Sequence, residues 1–397
     1  MVDISMWADL DVVAQRTARR ELARSERVAR TPEALWILRW EDVRALLRDR
    51  RFAGVGLAVF DSLGITEGPL RRWYGGLMFT NEGVPHNRLR SLVQQAFVPR
   101  SIEALRPTTR AIADELLRPI ATAGGGDLLG LATHTPIRAI AKLVGVGDDE
   151  LGEFTYRSQV LSRVFGFMLP EEIEAATHAI EELLAYTRSL LDARRDDPRD
   201  DLITRLFQAE VDGERLTDAE VADMVVNIVV GAHDTSTGQI ACTLLTLLEH
   251  PEMLASLRAE PALVPLAVEE TMRYVSSIGA IPRVAIEAVD YDGLRFEAGA
   301  LLLLCTDTAN HDPIGYAEPG RFLPTRFDAD EVHRLMTFGA GPHYCLGAAF
   351  ARMVVQEAVT AVLRLPEPLR LTEPAADLPW TTVLATYPAR LPVSCGA

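Results

Sequence analysis

The sequence predicts a mainly α-helical protein with a small β part, organised as a single large α-rich domain over residues 1–397. Three observations predict this class. Apolar residues recur at spacings of three and four through most of the chain up to about residue 275. Apolar runs typical of strands are few and short. No internal repeat or low-complexity tract divides the chain.

The helical spacing is clearest in five segments, which are residues 42–47, 88–96, 101–117, 170–193 and 218–249. The best strand patterns are those of residues 34–38, 282–288 and 301–305. Two polar segments, residues 123–127 and 193–201, are rich in Gly or Asp and predict flexible connections. Helical periodicity resumes after each of them, so neither indicates a domain boundary.

The longest predicted helix starts after Thr217, and this residue forms a capping box with Glu220. Pro251 marks its far end. At 1.5 Å per residue, about 32 residues give a length of about 48 Å. Its apolar composition predicts a helix that runs through the core.

Composition and charge exclude several classes of protein. The chain has 397 residues, of which 48% are apolar, and a net charge of −16, which disfavours nucleic acid as a partner. No run of 18 or more apolar residues is present, and the first residues lack the pattern of a signal peptide, so we expect a cytoplasmic protein without a membrane span. The four cysteines lie far apart and indicate neither a disulfide framework nor a structural zinc site.

The segment 338–347, with sequence FGAGPHYCLG, carries the most specific chemical signal. It places Cys345 in a glycine-rich loop directly before a predicted apolar helix. A helix N-terminus lowers the pKa of a cysteine, and glycines allow backbone N–H groups to approach the sulfur. A thiolate held in this way is a suitable ligand for haem iron.

This segment resembles the cysteine loop of the cytochrome P-450 family, with the pattern Phe-Gly-x-Gly-x-His-x-Cys-x-Gly. All six fixed positions are present, and the resemblance extends over nearly the whole chain. It implies the cytochrome P-450 fold, with haem b as cofactor, Cys345 as the axial iron ligand and O₂ as co-substrate. The other cofactor-binding residues that it implies are His86, Arg90, Arg283, His343, Phe338, Gly339, Gly347 and Ala232.

A second motif lies in the middle of the long helix, where the sequence reads GAHDTS over residues 231–236. It is similar to the family's Ala-Gly-x-Asp/Glu-Thr-Thr/Ser. The resemblance implies that Asp234 and Thr235 are catalytic and relay protons to dioxygen. Gly231 and Ala232 stand in the reverse of the family's order, and the methyl group of Ala232 is expected to narrow the oxygen groove.

A third motif is structural. Glu270 and Arg273 stand at i and i+3 on one helix face and match the family's Glu-x-x-Arg pair. The family usually adds a third partner from a Pro-x-Arg-Phe segment. Residues 319–322 match this pattern, which makes Arg321 the predicted partner.

The substrate pocket is predicted only by position along the chain. Most of its candidate wall residues are apolar or aromatic, which suits a medium-sized hydrophobic ligand. The candidates are Leu77, Met78, Phe79, Phe165, Phe167, Ile228, Val229, Ile278, Ile281 and Val383. The sequence does not identify the substrate.

The resemblance implies a bacterial-type haem-thiolate monooxygenase that inserts one oxygen atom from O₂ into a medium-sized hydrophobic molecule. The reaction is expected to belong to secondary metabolism or to xenobiotic or lipid oxidation. The resemblance implies a ferredoxin or flavodoxin-like electron donor, and we expect a monomer. A basic patch of Arg88 and Arg352, with Arg71 and Arg72, is the predicted docking surface for the donor. Two alternatives remain open at this level: oxidative carbon–carbon coupling on the same fold, and a haem-binding sensor or carrier without turnover. Peroxide use is disfavoured, because members of the family that use peroxide tend to lack the acid and alcohol that Asp234 and Thr235 match.

Overall fold

A computed structural model describes residues 2–166, 168–327, 335–382 and 384–396. The structure is 58% helical with small sheets, which confirms the predicted fold class. The helices, in chain order, are α1 Val12–Leu22, α2 Trp40–Leu46, α3 Ala58–Ser62, α4 Pro69–Gly75, α5 Gly83–Ala96, α6 Pro99–Ala104, α7 Arg106–Ala123, α8 Leu129–Val144, α9 Leu151–Ser162, α10 Ile173–Asp196, α11 Leu202–Gln208, α12 Asp218–Leu248, α13 Pro251–Ala259, α14 Val264–Tyr274, α15 Thr306–Ala309 and α16 Ala348–Leu363.

The strands are short and lie in five sheets of the described chain. In chain order they are β1 Val2–Asp3, β2 Val28–Arg30, β3 Leu35–Ile37, β4 Phe52–Ala53, β5 Gly125–Asp127, β6 Glu210–Val211, β7 Glu214–Arg215, β8 Ile281–Ala285, β9 Val289–Tyr291, β10 Leu294–Phe296, β11 Leu301–Leu304, β12 Leu369–Leu371, β13 Trp380–Thr382, β14 Thr386–Pro388 and β15 Pro392–Cys395.

The chain forms two compact units. The first unit comprises Met1–Val55 and Ala262–Cys345, and the second comprises Gly56–Pro261 and Leu346–Ala397. The organisation as one domain over residues 1–397 stays a prediction.

The first unit is built on a mixed six-stranded sheet with the order β1-β2-β3-β11-β8-β4. Strand β11 runs parallel to β3 and antiparallel to β8, and Leu302 lies opposite Leu35 on one side and Arg283 on the other. Apolar side chains of the sheet pack with helix α2 into a core that includes Ile37, Val43 and Leu304. The sheet therefore fixes the position of Arg283 on β8.

The second unit is organised around α12. This helix packs against α8, α9, α10 and α16, and most of its side chains are buried. A helix that is apolar on nearly all sides is stable only when other elements surround it. The predicted path through a core is therefore confirmed.

Local signals at the ends of α12 determine its length. The Glu220 amide donates to the Thr217 hydroxyl at 3.2 Å, and the Thr217 amide donates to the Glu220 carboxylate at 2.8 Å. These bonds satisfy amides that the first helical turn leaves without partners. The predicted capping box is confirmed, and the helix ends at Leu248, before Pro251 begins α13.

One predicted helix is divided in two. Residues 101–117 were expected to be continuous, but α6 ends at Ala104 and α7 begins at Arg106. Pro107 stands in the first turn of α7, where its missing N–H is tolerated. In the middle of one long helix the same proline would remove a hydrogen bond, so the chain starts a new helix instead.

Neither predicted flexible connection is merely a linker. Within residues 123–127, Gly125–Asp127 is strand β5 and pairs with β15. Within residues 193–201, Arg194 and Asp201 form a buried ion pair at 2.5 Å, and α10 continues to Asp196. The first prediction is wrong, because residues 125–127 pair as a strand with a distant part of the chain. The second is confirmed in part, since residues 197–201 connect α10 and α11 without helix or strand.

Candidate active site

The cysteine loop has a conformation that depends on two glycines. Gly339 has φ +71° and Gly341 has φ +73°, a region that favours glycine. A Cβ on Gly341 would lie 2.7 Å from the Leu47 carbonyl oxygen. The Cys345 amide donates to the Phe338 carbonyl at 2.9 Å, which closes the loop. Cys345 is exposed on this loop, three positions before α16 begins.

Asn310 positions the chain that leads into this loop. Its side-chain amide donates to the Thr337 hydroxyl at 3.0 Å, and its carbonyl oxygen accepts from the Met336 amide at 2.8 Å. The Thr337 hydroxyl in turn donates to the Met272 carbonyl on α14 at 2.8 Å. Sequence reasoning missed Asn310, because no local motif marks a residue that acts across 26 positions.

The Glu270–Arg273 pair lies fully buried on α14. The guanidinium of Arg273 donates to both Glu270 oxygens, at 2.7 and 2.8 Å. It also donates to the backbone carbonyls of Asn310, at 2.9 Å, and Pro319, at 2.8 Å. The pair thus connects α14 with the segments on either side of residue 315, and it is saturated with hydrogen bonds as a buried ion pair requires.

The third partner of this pair is Arg326, and the prediction of Arg321 is wrong. Arg326 Nε lies 3.2 Å from a Glu270 oxygen. The Arg321 side chain is exposed and pairs with Glu318, and only its carbonyl accepts from Arg273, at 3.1 Å. Residues 324–327 also match the Pro-x-Arg-Phe pattern. The sequence therefore contained both candidates, and tertiary contact selects the second.

Four basic side chains, two arginines and two histidines, were predicted to bind the cofactor, and each unit contains two of them. In the first unit, Arg283 is buried on β8 and His343 is half-buried in the cysteine loop. In the second unit, His86 is buried and Arg90 is half-buried. His86 and Arg90 stand at i and i+4 of α5, so they share one helix face.

Gly347 is the N-cap residue of α16 and has φ −81°, an ordinary backbone conformation. Phe338 is buried in the first unit, with its ring 6.3 Å from that of Tyr344. The structure therefore gives Gly339 a conformational reason to be glycine but gives none of this kind to Gly347.

Helix α12 has one face that is not covered by protein, which we call the accessible stripe. It consists of Ile228, Gly231, Ala232 and Thr235, while every other residue from Met224 to Leu247 is buried. The spacing i, i+3, i+4, i+7 places these four residues on one side of the helix. A Cβ built on Gly231 would meet no atom within 4 Å, so space is open beside it. The Thr235 hydroxyl donates back to the Gly231 carbonyl at 3.0 Å.

Asp234 lies off the accessible stripe and is buried. One carboxylate oxygen accepts from the Ala385 amide at 2.9 Å, and the other accepts from the Tyr387 hydroxyl at 3.2 Å. Burial raises the pKa of Asp234, and the hydrogen bonds from Ala385 and Tyr387 oppose this shift. The predicted acid and alcohol are therefore neighbours in sequence with different surroundings.

His233, directly before Asp234, is also buried, and neither ring nitrogen has a hydrogen-bond partner within the described chain. Burial lowers the pKa of His233 to about 4. The imidazole is therefore neutral near pH 7. Sequence reasoning assigned it no role, and the structure gives it no catalytic partner.

The predicted pocket residues divide into accessible and covered ones. Leu77 and Val229 are almost completely covered by protein, and their assignment to the pocket wall stays a prediction. Met78 is also buried. Ile228 lies on the accessible stripe, and Ile278 and Ile281 of the first unit are half-buried. Phe167 and Val383 lie outside the described residues.

An aromatic cluster brings Phe79 and Phe165 together. Their ring centroids are 5.5 Å apart, and Tyr74 packs against both rings, at 5.4 and 6.0 Å. Trp73 and Phe60 extend the cluster on its buried side. Phe79 remains exposed and Phe165 half-buried, so the cluster presents aromatic surface.

Arg88 has a structural function that the docking prediction did not anticipate. Its guanidinium pairs with Glu220 at 2.6 Å and Glu214 at 3.1 Å and donates to the Arg215 carbonyl at 2.7 Å. Arg71 likewise pairs with Asp61 at 2.7 Å. Arg88 therefore connects α5 to the β6–β7 hairpin and the start of α12, and its charge is already neutralised.

No helix in the described ranges has the length and hydropathy needed to cross a membrane. Among the same residues, no group of three or more His, Cys, Asp or Glu side chains is arranged to hold a metal ion.

Comparisons with known proteins agree with this geometry. Residues 153–367 match the family model described as Cytochrome P450. The chain is 37% identical to nocardicin C N-oxygenase from Nocardia uniformis subsp. tsuyamanensis, over 91% of this chain and 90% of that protein. It is 35% identical to mycinamicin IV hydroxylase/epoxidase from Micromonospora griseorubida, over 94% of each. The structure of cytochrome P450 CYP109Q5 from Chondromyces apiculatus matches with a TM-score of 0.88 and 27% identity, over 100% of this chain and 99% of that one.

Proposed function

Because the chain belongs to the cytochrome P450 family and is an oxidoreductase of its monooxygenase class, we propose that it inserts one oxygen atom from O₂ into a medium-sized hydrophobic organic molecule. The family implies a haem-thiolate iron cofactor. We propose haem b, with the Cys345 sulfur as its protein ligand. We further propose that the enzyme acts as a monomer and takes electrons from a separate ferredoxin or flavodoxin-like protein.

The observation that carries the proposal is the exposed Cys345 on a loop that only glycines permit. Gly339 and Gly341 adopt left-handed conformations, and the loop is closed by the Cys345 amide. The sulfur is thus presented at the surface of the first unit, where a buried structural cysteine would be covered. This donor fits haem iron, since a thiolate ligand favours O–O cleavage.

The other cofactor contacts follow from charge. Haem carries carboxylates, and arginine forms strong charge-assisted hydrogen bonds with such groups. We propose Arg283 and His343 in the first unit, and His86 and Arg90 in the second, as the side chains that donate hydrogen bonds to them. When bound, the haem supplies the reduction of O₂ and the transfer of one oxygen atom to substrate.

The protein's own contribution to this chemistry is proton delivery from α12. We propose that Asp234 is the proton-donating acid and that Thr235 fixes the water next to the site of oxygen reduction. Thr235 lies on the accessible stripe beside the open space at Gly231, which supports this assignment. Ala232 lies on the same stripe, so we propose that its methyl group limits the space near Thr235.

The aromatic cluster supports a hydrophobic substrate. Phe79 and Phe165 present ring surface that water solvates poorly, and Ile228 adds an aliphatic side chain on α12. The relatives named above act by N-oxygenation, hydroxylation or epoxidation, as their names state. We propose a substrate class of medium-sized secondary metabolites for this chain.

Replacement of Cys345 by Ser tests cofactor ligation. The purified protein, reduced and treated with carbon monoxide, should show the absorption band of a thiolate-ligated haem, and the variant should lack it. Cys395→Ser is the matched control, because that thiol lies on β15 and should leave the band unchanged. A thiolate band in the Cys345 variant would contradict the proposed ligand.

Replacement of Thr235 by Ala tests the monooxygenase role. With an electron donor and a bound hydrophobic ligand, the variant should divert most reducing equivalents to peroxide. Thr246→Ala is the control, since its hydroxyl makes the same kind of backbone bond, to Cys242 at 2.8 Å, but is buried. An unchanged product yield in Thr235→Ala would contradict the role of this residue.

Electron donor docking is tested at Arg352 of α16, a half-buried residue of the predicted basic patch. Arg352→Glu should slow reduction by a ferredoxin and weaken the dependence of the rate on salt. Arg370→Glu, at an exposed position of β12, serves as the control. Equal reduction rates for both variants would remove Arg352 from the docking surface.

A further inference from the structure

We propose that Tyr387 is a positioning residue that holds the carboxyl group of Asp234 and determines how readily this acid releases its proton. The inference rests on the proposed function only in that Asp234 is there the proton donor. The hydrogen bond itself is a feature of this chain that needs no cofactor.

The geometry holds both oxygens of the carboxyl group. Tyr387 lies on β14 and donates to one Asp234 oxygen at 3.2 Å, while the Ala385 amide donates to the other at 2.9 Å. Strand β14 pairs with β13 and packs against α12 within the second unit. The acid is thus held on the side of α12 that faces this hairpin, and the adjacent residue, Thr235, lies on the accessible stripe.

The partners on the hairpin are neutral. The charged group that acts on both Asp234 and Tyr387 is Arg163, and this guanidinium is itself paired with Glu172 at 2.9 Å. Cys242 of α12 is the other titratable group near Tyr387, and its thiol donates to the Thr386 carbonyl at 3.5 Å. His233, the residue before Asp234, interacts with His134 of α8.

The phenol is a permanent donor over the working pH range. Burial, together with the nearby charge of Asp234, raises the pKa of Tyr387 far above its usual value. A hydrogen bond donated to a carboxylate stabilises the ionised form. Burial raises the pKa of Asp234, and Tyr387 therefore limits this rise and stabilises the carboxylate that remains after proton release.

The test is Tyr387→Phe in the purified holoprotein. The carboxyl C=O stretch of Asp234, assigned by its loss in Asp234→Asn, is followed by infrared spectroscopy as a function of pH. Loss of the Tyr387 hydroxyl as a donor should raise the pH midpoint of Asp234 protonation by about one unit. Tyr291→Phe is the matched control, because it removes a phenol that also donates to an aspartate, Asp42, at 3.2 Å in the first unit.

A second altered protein should shift the Asp234 midpoint in the opposite direction. Incorporation of 3-fluorotyrosine at position 387 keeps the hydroxyl and makes it a stronger donor, so the midpoint should fall. A purely structural role of the ring would give no shift in either variant. This second measurement also preserves the test if Tyr387→Phe folds poorly.

The inference is overturned if the pH midpoint of Asp234 protonation does not change. This midpoint would then be the same in the native protein, in Tyr387→Phe and in the fluorinated protein. The relay role of Asp234 is judged separately, from the pH profile of product yield. If the infrared midpoint moves in the two expected directions, the inference holds. If the pH profile of product yield is nevertheless the same in the native protein and in the two altered proteins, only the proposed function of Asp234 is contradicted.

Discussion

Two buried aspartates, one in each unit, show how surroundings separate a structural acid from a reactive one. Asp307 of α15 accepts from the Arg20 guanidinium at 2.9 and 2.7 Å, and Arg16 lies 3.7 Å away. Asp234 of α12 accepts from an amide and a phenol. Both side chains are nearly inaccessible to solvent.

The difference lies in the charge of the donors. Burial raises the pKa of each carboxyl group, but for Asp307 the positive charges of Arg20 and Arg16 outweigh it, so its pKa is well below the usual range. The neutral donors around Asp234 offset burial only in part, and its pKa stays raised. An acid fixed as an anion by cations contributes to stability, whereas one held by neutral donors can exchange a proton.

The largest expected effect comes from breaking the Asp307 pair. Arg20→Leu removes both charged hydrogen bonds from a buried carboxylate and leaves more distant arginines such as Arg16, and such losses cost about 3–5 kcal/mol of unfolding free energy. Urea unfolding followed by circular dichroism measures it. Arg24→Leu, which removes an exposed pair with Glu21 close by, should cost less than about 1 kcal/mol. Equal costs for the two variants would contradict the structural role of Asp307.

The next effect concerns chemistry. Asp234→Asn should lower the rate of product formation, and hence the product yield in a fixed time, by about 100-fold, a typical contribution of a positioned general acid. Asp307→Asn should lower stability and leave the yield per molecule of folded holoenzyme unchanged. A similar loss of yield in both variants would show that Asp234 acts through folding alone.

A third comparison is between a buried and an exposed arginine near Glu270, in the stability that each contributes. Arg326→Leu removes a mostly buried donor to a fully buried carboxylate and should cost about 1–3 kcal/mol. Arg321→Leu, at an exposed position, should change stability by less than about 1 kcal/mol. The unfolding midpoints in urea distinguish them, and the reverse order would restore Arg321 as the third partner.

The smallest expected effect is a difference in how the two aspartates make the free energy of unfolding depend on pH. The folded-state pKa of Asp234 is raised, so its stabilising contribution is complete below the pKa of the unfolded chain and is lost as pH rises through the folded value. For Asp307 the folded pKa is lowered, so its contribution is present above the unfolded value and is lost as pH falls.

Unfolding free energies of the native protein, Asp234→Asn and Asp307→Asn across a pH series measure these contributions. Relative to Asp234→Asn, the native protein should lose stability with rising pH by about 1.4 kcal/mol for each unit of pKa shift. Relative to Asp307→Asn, it should lose stability with falling pH. Slopes of the same sign would contradict the comparison.

The predictions that succeeded concern residues close together in sequence. The capping box of Thr217 and Glu220 and the helical pair of Glu270 and Arg273 follow from spacings of three residues, which fix geometry locally. The cysteine loop was recognisable for the same reason, since Gly339 and Gly341 are needed within the loop itself.

The predictions that failed in whole or in part concern burial and pairing over long distances. Arg321 and Arg326 stand in the same short pattern, and only the position of Glu270, more than 50 residues away, distinguishes them. Residues 193–201 are polar enough for a loop, yet Arg194 is buried against Asp201.

The sequence by itself determined the helical class, the long central helix, the cysteine loop and the family, because periodicity, capping and spaced motifs are local properties. Only the tertiary structure decided which face of α12 stays accessible and that Asp234 is held by Tyr387, 153 residues later. The physical reason is that burial and hydrogen-bond partners depend on the side chains that other segments bring close. Those contacts determine whether an acid is fixed as an anion or free to release its proton.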